Sequence, residues 1–253
     1  MQLSNRVDKK RIDREVAALN ILGQKHHPHL VRLLASYNFK GSQHLIFPWA
    51  DGNLREFWEQ HQKPAKPDAG IVRWAAHQML GLASALEELH DHSFVEGGHL
   101  YGRHGDLKPE NILMYKGWED DSEGILVIAD LGLSSFHRTY QGQRRDKRCT
   151  PTYRPPEFDL SNRWSSIYDI WSLGCIFLEF ATWLLLDWNA VEHAFPAART
   201  TTMMANPTGN ISKDDSFFTV EKDTTLGKDR VQVKESVIQV KMHSHLPISL
   251  LLV

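Results

Sequence analysis

The sequence predicts an α+β fold in which short paired strands stay apart from long helices, and three patterns carry that prediction. Apolar runs come in pairs across turn residues, first at 30–39 and 44–49, then at 111–115 and 125–129. That is how hairpins read. Ala69 to His90 repeats apolar residues at helical spacing, and Ser166 to Leu186 is apolar almost throughout, so each predicts a long helix. From Asn189 to Lys234 polar clusters alternate with little periodicity, which predicts a partly disordered or loosely packed region.

Along the chain, Lys9 to Leu22 sets Ile12, Val16, Leu19 and Leu22 on one helical face, and Gly23 can end that helix. The His-rich run ending in Pro28-His29 reads as a loop, and Lys40-Gly41-Ser42-Gln43 connects the first hairpin. Asp51-Gly52-Asn53 then punctuates, with either Asn53 or Asp51 able to cap a short helix through Gln60. Two prolines mark 63–68 as a linker. Ile71, Trp74, Ala75, Met79, Leu82, Ala85, Leu86 and Leu89 stripe the helix that follows. A Gly-rich turn leads to the second hairpin, whose connection holds Glu119-Asp120-Asp121. Residues 138–148 are polar and basic, 150–157 are studded with proline, and no internal repeat occurs.

A chain of 253 residues, 42% hydrophobic and 24% charged, can bury a full core. Its formal net charge of -2 gives no global reason to expect a nucleic acid or an anionic membrane as partner. Cys149 and Cys175 read as free thiols in a reducing compartment, and the charged N-terminus offers no apolar leader, which together predict a cytoplasmic or nuclear location. The stretch from Ile170 to Leu186 falls short of the roughly 20 residues of a membrane span and reads as a buried core helix. Fourteen histidines raise the question of zinc, but the cluster His26, His27 and His29 lacks carboxylate or thiol company, so no such site is assigned.

Phosphoryl transfer asks little covalent chemistry of a protein. It needs metal ligands for the phosphates, a carboxylate near the attacking hydroxyl, and positive charge for the transferring group. In His104-Gly105-Asp106-Leu107-Lys108-Pro109-Glu110-Asn111, three such groups, Asp106, Lys108 and Asn111, stand within six residues of one loop. The bland alternative is a polar turn before a strand. Nineteen positions after Asn111, Ala129-Asp130-Leu131-Gly132 follows an apolar run.

These runs resemble those of eukaryotic-type serine/threonine protein kinases. The resemblance implies a two-lobed fold with a mainly helical large lobe, an incomplete small lobe, Mg-ATP as co-substrate and a protein as phosphate acceptor. By resemblance Asp106 is the base, Lys108 faces the phosphate, and Asn111 and Asp130 hold Mg2+. Thr150-Pro-Thr-Tyr-Arg-Pro-Pro-Glu157 is similar to the end of an activation segment, where Thr150 braces the catalytic groups and Glu157 pairs with a late arginine. Asp169-Ile-Trp-Ser-Leu-Gly174 resembles the start of the central helix, with Asp169 holding the catalytic-loop backbone. An aspartate so placed needs partners, since unpaired burial costs several kcal/mol. Upstream, Glu15 resembles the glutamate that orients the ATP lysine, and Phe47-Pro48-Trp49-Ala50 resembles the adenine hinge, with Phe47 as gatekeeper and the backbones of Pro48 and Ala50 as its hydrogen-bonding groups. Lysine at 108 favours serine and threonine over tyrosine, and Trp171-Ser-Leu-Gly-Cys-Ile-Phe-Leu-Glu-Phe180 is similar to kinases of filamentous fungi.

The sequence departs from that pattern in three places. It contains no Gly-x-Gly-x-x-Gly, and Glu15 finds no lysine partner on a preceding strand. Gly105 stands where many kinases carry a phosphate-receiving arginine, so phosphorylation at Thr139 or Tyr140 is not expected to be the principal switch. The organisation expected is a partial small lobe at 1–50, a large lobe at 51–188 and an atypical, partly disordered region at 189–253. Two rival readings follow: an inactive kinase-like binding module, and a small-molecule kinase of the aminoglycoside or choline type, whose loop also reads His-Gly-Asp. Pro155-Pro156-Glu157 and the Asp169 helix argue against the latter. Sequence leaves oligomeric state open.

Overall fold

The computed structural model describes residues 19, 26–40, 42–62, 69–95, 98–116, 124–131, 135–137, 141–143, 149–160, 163–202, 213–221 and 229–243. Glu15 and the basic residues Arg138, Arg144, Arg145, Lys147 and Arg148 lie outside them. Leu19, expected on the apolar face of the first helix, is buried in the main core.

The first hairpin pairs β1 (Ala35–Phe39) with β2 (Ser42–Ile46), Phe39 standing opposite Ser42. Its connection is thus shorter than the four residues expected, and it begins with Lys40 at φ 48°, the left-handed conformation that short hairpin turns require. Leu34, Tyr37, Phe39 and Ile46 stay exposed on it, as does Trp49 beyond it. After β3 (Gly52–Asn53), helix α1 (Leu54–Gln60) starts on a capping box: Asn53 accepts the Glu56 N–H and Glu56 accepts the Asn53 N–H, each at 3.0 Å. Asp51, the other candidate cap, takes the Lys116 N–H instead, at 2.8 Å.

Helix α2 (Ala69–His90) has the bounds its periodicity predicts and buries Trp74, Ala75, Gln78, Leu82, Ala85, Leu86 and Leu89. Where a Gly-rich turn was expected, β4 (Asp91–Val95) and β5 (Gly98–Arg103) pair antiparallel. The difference is non-local in origin, since β5 also pairs with a distant strand, Tyr101 opposite His137. The second expected hairpin forms as β6 (Ile112–Tyr115) and β7 (Ile125–Ile128), with β3 on the far side of β6. Short strand β8 (Ser135–His137) is the partner of β5, and β9 (Gln141–Gln143) pairs with a strand beyond the one-turn helix α3 (Glu157–Leu160), namely β10 (Arg163–Ser165).

Two features lock α2 onto β7. The Leu126 N–H donates to the buried Gln78 side chain at 2.9 Å, and the Trp74 indole donates to the Gly124 carbonyl at 2.8 Å. The segment 26–31 fastens to the same strand through Val31 N–H to Ile128 O at 2.9 Å and Ile128 N–H to His29 O at 2.8 Å. His29 also donates from Nδ1 to Leu126 O at 2.7 Å and lies so close to α2 that a Cβ on Gly81 would sit 2.1 Å from its Nε2. Only glycine admits that approach.

Helix α4 (Ile167–Leu185) crosses α2 through a cluster in which Phe57, Trp58, Trp74, Phe180 and Trp183 pack ring on ring at 5.3 to 5.9 Å between centroids. Its 19 residues are long and apolar enough to cross a membrane by length and composition, where the sequence reading held the stretch too short; 61% of that apolar window is buried within the fold. The expectation of a core helix describes its packing.

Beyond α4 the chain is better packed than its polar sequence suggests. A helical turn at Ala190–Ala194 continues into α5 (Phe195–Arg199), followed by β11 (Thr201–Thr202), β12 (Lys213–Asp214), β13 (Phe218–Glu221), β14 (Arg230–Val233) and α6 (Glu235–His243). Strand β11 pairs with β12, and β13 with β14. Phe195, Phe217, Phe218 and Val237 are buried there, together with Arg199, Ser216 and Lys234. The loose packing expected of this region does not hold for these residues, because widely spaced aromatics build a local core around the aliphatic and planar parts of Arg199. Its guanidinium lies 4.3 Å from the Phe195 ring and 4.2 Å from that of Phe217.

Candidate active site

The loop between β5 and β6 turns back on itself at Gly105, whose φ of 89° only glycine adopts without strain. That requirement gives Gly105 a conformational reason of its own. Asp169, at the start of α4 and 2% exposed, fixes the turn from below. Its carboxylate accepts the His104 N–H at 2.8 Å, the Gly105 N–H at 2.9 Å and the His90 Nε2–H at 3.0 Å. Burial pushes the Asp169 carboxyl up, but the hydrogen bond and charge of His90 and the backbone donors outweigh it and hold the group below the ordinary aspartate value. The role expected of Asp169, holding the loop backbone, matches this geometry, and His90 is an added partner that no local sequence signal announced.

His104 is fully buried and works in two directions. Its Nδ1 accepts the Asp106 N–H at 3.2 Å while its Nε2–H donates to the Ala129 carbonyl at 2.8 Å, which fixes the tautomer. The ring therefore ties the loop to the residue before Asp130. Asn111 completes the tie: its side-chain amide donates to Asp106 O at 2.8 Å, and its carbonyl accepts the Ala129 N–H at 2.9 Å. The two segments that sequence placed nineteen positions apart thus share one hydrogen-bonded frame. Asp130 itself is exposed and sits at φ 55°, a left-handed conformation that costs a non-glycine residue about 1 kcal/mol or more. Leu131 beside it is buried, so the chain there is held by packing.

Asp106 faces Thr150, at the head of the Pro151–Tyr153 turn. One carboxylate oxygen accepts both the Thr150 hydroxyl at 2.8 Å and the Thr150 N–H at 2.9 Å, and the other lies 3.3 Å from Lys108 Nζ. Burial alone would raise this carboxyl; Thr150 and Lys108 reverse the effect and keep it below the ordinary aspartate range, hence ionised. A carboxylate held with fixed orientation beside an ammonium is equipped to take a proton from a hydroxyl. The structure brings Asp106, Lys108, Asn111, Asp130, Thr150 and Asp169 together.

Other expected residues fall elsewhere. The hinge segment follows β2, with Phe47 half-buried against the core and Trp49 93% exposed. The Pro48 carbonyl, expected to be open to adenine, accepts the Tyr115 hydroxyl at 3.4 Å, leaving a second lone pair; Ala50 is half-buried beside it. Glu157 is exposed at the start of α3. The late buried arginine, Arg199, pairs at 3.3 Å with Glu179 of α4 rather than with Glu157. Glu179 also accepts the buried Tyr153 hydroxyl at 2.8 Å, and its burial raises its carboxyl to about 7 despite the arginine. This Tyr153–Glu179–Arg199 cluster lies directly under the Thr150 turn and was not legible in the sequence.

Asn111 and Asp130 carry oxygen donors of the hard kind that magnesium accepts. Among the described residues no three His, Cys, Asp or Glu side chains cluster as a separate metal site.

Comparison with known proteins places these features. A family model for the protein kinase domain matches residues 1–239. Cyclin-dependent kinase-like 4 of Homo sapiens is 30% identical over 204 residues, 79% of this chain and 48% of that protein. Serine/threonine-protein kinase PKH3 of Eremothecium gossypii is 30% identical over 172 residues, 66% of this chain and 21% of that protein. Cyclin-dependent kinase 4 of Ovis aries is 33% identical over 171 residues, 66% of this chain and 50% of that protein. The chain thus spans about half or less of the length of these curated relatives.

Proposed function

The chain belongs to the protein kinase domain family, and from that premise we propose that it transfers the terminal phosphate of Mg-ATP to serine or threonine hydroxyls of a protein. The observation that carries the reading is the Asp106 carboxylate, oriented by Thr150 at 2.8 and 2.9 Å and neighboured by Lys108 at 3.3 Å. Mg-ATP supplies the transferable phosphoryl group and the metal that offsets its charge. Asp106 aligns the acceptor hydroxyl and takes its proton. Lys108 faces the charge that develops on the transferred group. Asn111 and Asp130 would hold the metal, Asn111 with the amide oxygen left over once its nitrogen has bonded Asp106 O. Phe47 and the backbones of Pro48 and Ala50 border the adenine. Cys149 and buried Cys175 share no disulfide, which supports a reducing compartment, the cytoplasm or nucleus.

A second reading is a kinase-like binding module without turnover. Phosphate transfer separates the two. The purified chain is incubated with Mg2+ and γ-labelled ATP against a panel of serine-, threonine- and tyrosine-containing peptides, beside Asp106→Asn. The proposal expects labelled serine or threonine and a loss of about 10²- to 10⁴-fold in the variant, the usual contribution of a positioned general base. Transfer that is indifferent to Asp106, or confined to tyrosine, overturns it.

A further inference from the structure

The turn that orients Asp106 is itself gripped by a distant part of the chain. Lys213 to Phe218 crosses the outer side of the Pro151–Tyr153 turn and meets it with two successive carboxylates. The Thr152 hydroxyl donates to Asp215 at 2.9 and 3.0 Å. The Arg154 guanidinium lies on Asp214 in a two-pronged pair, at 3.2 and 3.3 Å, and stacks over Phe218 at 5.4 Å. The grip is braced from behind: Arg199 donates to Asp215 O at 3.1 Å, Lys234 donates to Asp214 O at 3.1 Å and to Arg199 O at 2.7 Å, and Ser216 bonds Asp214 through both its N–H and its hydroxyl. Within the same turn Thr150 points to Asp106 and Tyr153 points to Glu179. The turn therefore has one face on the reacting carboxylate and the other on this strap.

We propose that Asp215, with Asp214 beside it, is a positioning residue for the active site: the strap 213–218 sets the Thr150–Arg154 turn and, through Thr150, the orientation of Asp106. Asp215 touches neither Asp106 nor the position of the acceptor hydroxyl, so its effect passes through Thr152 and the turn. Two charged groups on adjacent strap residues hold two alternate residues of the turn, and a short turn anchored at positions 152 and 154 leaves Thr150 little freedom. The proposal rests on the kinase reading for its consequence but not for its test.

The test reads the turn directly. In the wild-type chain the Thr150 amide is bonded to Asp106 at 2.9 Å, so its hydrogen exchange reports the coupling without any nucleotide. Asp215→Ala is expected to speed exchange at the Thr150 amide by about tenfold or more, the effect of losing one hydrogen bond to a charged group, while the α4 amides stay protected. Asp215→Asn keeps an acceptor for Thr152 and is expected to restore most of the protection. Thr152→Val removes the same bond from the other side; it should match Asp215→Ala, and the double variant should be no worse than either alone. If the chain phosphorylates a peptide, Asp215→Ala also lowers kcat while KM for ATP holds. Thr150 exchanging at the wild-type rate in both single variants, with α4 protected, overturns the positioning role. A kinase reading that fails would show instead as wild-type protein without Mg-ATP binding, whatever the exchange rates.

Discussion

Replacing Asp169 by alanine removes the acceptor of the His104 and Gly105 N–H groups and of the His90 ring, at 2.8, 2.9 and 3.0 Å. The methyl group offers those donors nothing, and His104 is fully buried, so water cannot replace the carboxylate there without opening the loop. Each stranded donor costs about 1–3 kcal/mol, which for the two backbone groups sums to about 2–6 kcal/mol. That is a large share of the about 5–15 kcal/mol that holds a domain together. The carboxyl sits below its ordinary pKa, so in the folded chain its partners favour the ionised form by more than burial disfavours it. Asp169→Asn keeps one acceptor and turns an amide N–H toward the other donor, so it falls between wild type and alanine. Urea unfolding followed by circular dichroism measures both. The sign with pH is set as well: a depressed carboxyl contributes stability above its unfolded pKa of about 3.9, and that contribution is lost as pH falls further. The gap between wild type and Asp169→Ala is therefore full at pH 7 and narrows in acid. A loss under 1 kcal/mol at pH 7, or a gap that widens in acid, would refute the reasoning.

Two further substitutions probe the frame on either side of the site. Gly81→Ala puts a methyl 2.1 Å from the His29 ring, which its bond to Leu126 O at 2.7 Å prevents from yielding; unfolding measurements should find about 1–3 kcal/mol lost, and a neutral outcome would show that segment 26–31 is not fixed to α2. Glu179 is raised from 4.5 to about 7 by burial, so the folded chain holds a proton there that the unfolded chain gives up. Stability from this group is therefore complete below pH 4.5 and declines by up to about 3 kcal/mol as pH climbs to 7. Glu179→Gln, fixed in the neutral form, should lack that slope. Wild type gaining on the Gln variant as pH rises would mean that the ionised pair with Arg199 dominates instead.

The parts of the site legible in the sequence are those made by short spans. Asp106, Lys108 and Asn111 stand within six residues, so their convergence needed no knowledge of the fold. Asp169 was legible for a different reason, since a carboxylate entering an apolar helix has to find donors, and the nearest such backbone is the loop it was expected to hold. Helix α2 announced both its ends because its buried stripe has a clear period. What stayed hidden depends on chain segments far apart. Tyr115 reaching the Pro48 carbonyl, Tyr153 and Arg199 meeting on Glu179, and the two aspartates on Thr152 and Arg154 all join residues with no shared local pattern. The strands β4 and β5 were missed because glycines at 97, 98 and 102 imitate a turn, while the pairing that makes β5 a strand comes from β8. The C-terminal packing was missed because Phe195, Phe217 and Phe218 bury themselves around a cation, and a hydropathy pattern reads that neighbourhood as polar.

The central claim is that Asn111 and Asp130 present a magnesium-dependent nucleotide site next to the braced Asp106. Thermal unfolding of the 253-residue chain with ATP, with and without Mg2+, beside Asp130→Ala, tests it most directly. Ligand at about 100 times its Kd stabilises a fold by about 2.7 kcal/mol, a shift of several degrees in Tm. The account predicts that shift in the wild type with both Mg2+ and ATP, and none without the metal or in the folded Asp130→Ala protein. A wild-type chain that unfolds at the same temperature with and without saturating Mg-ATP would contradict it.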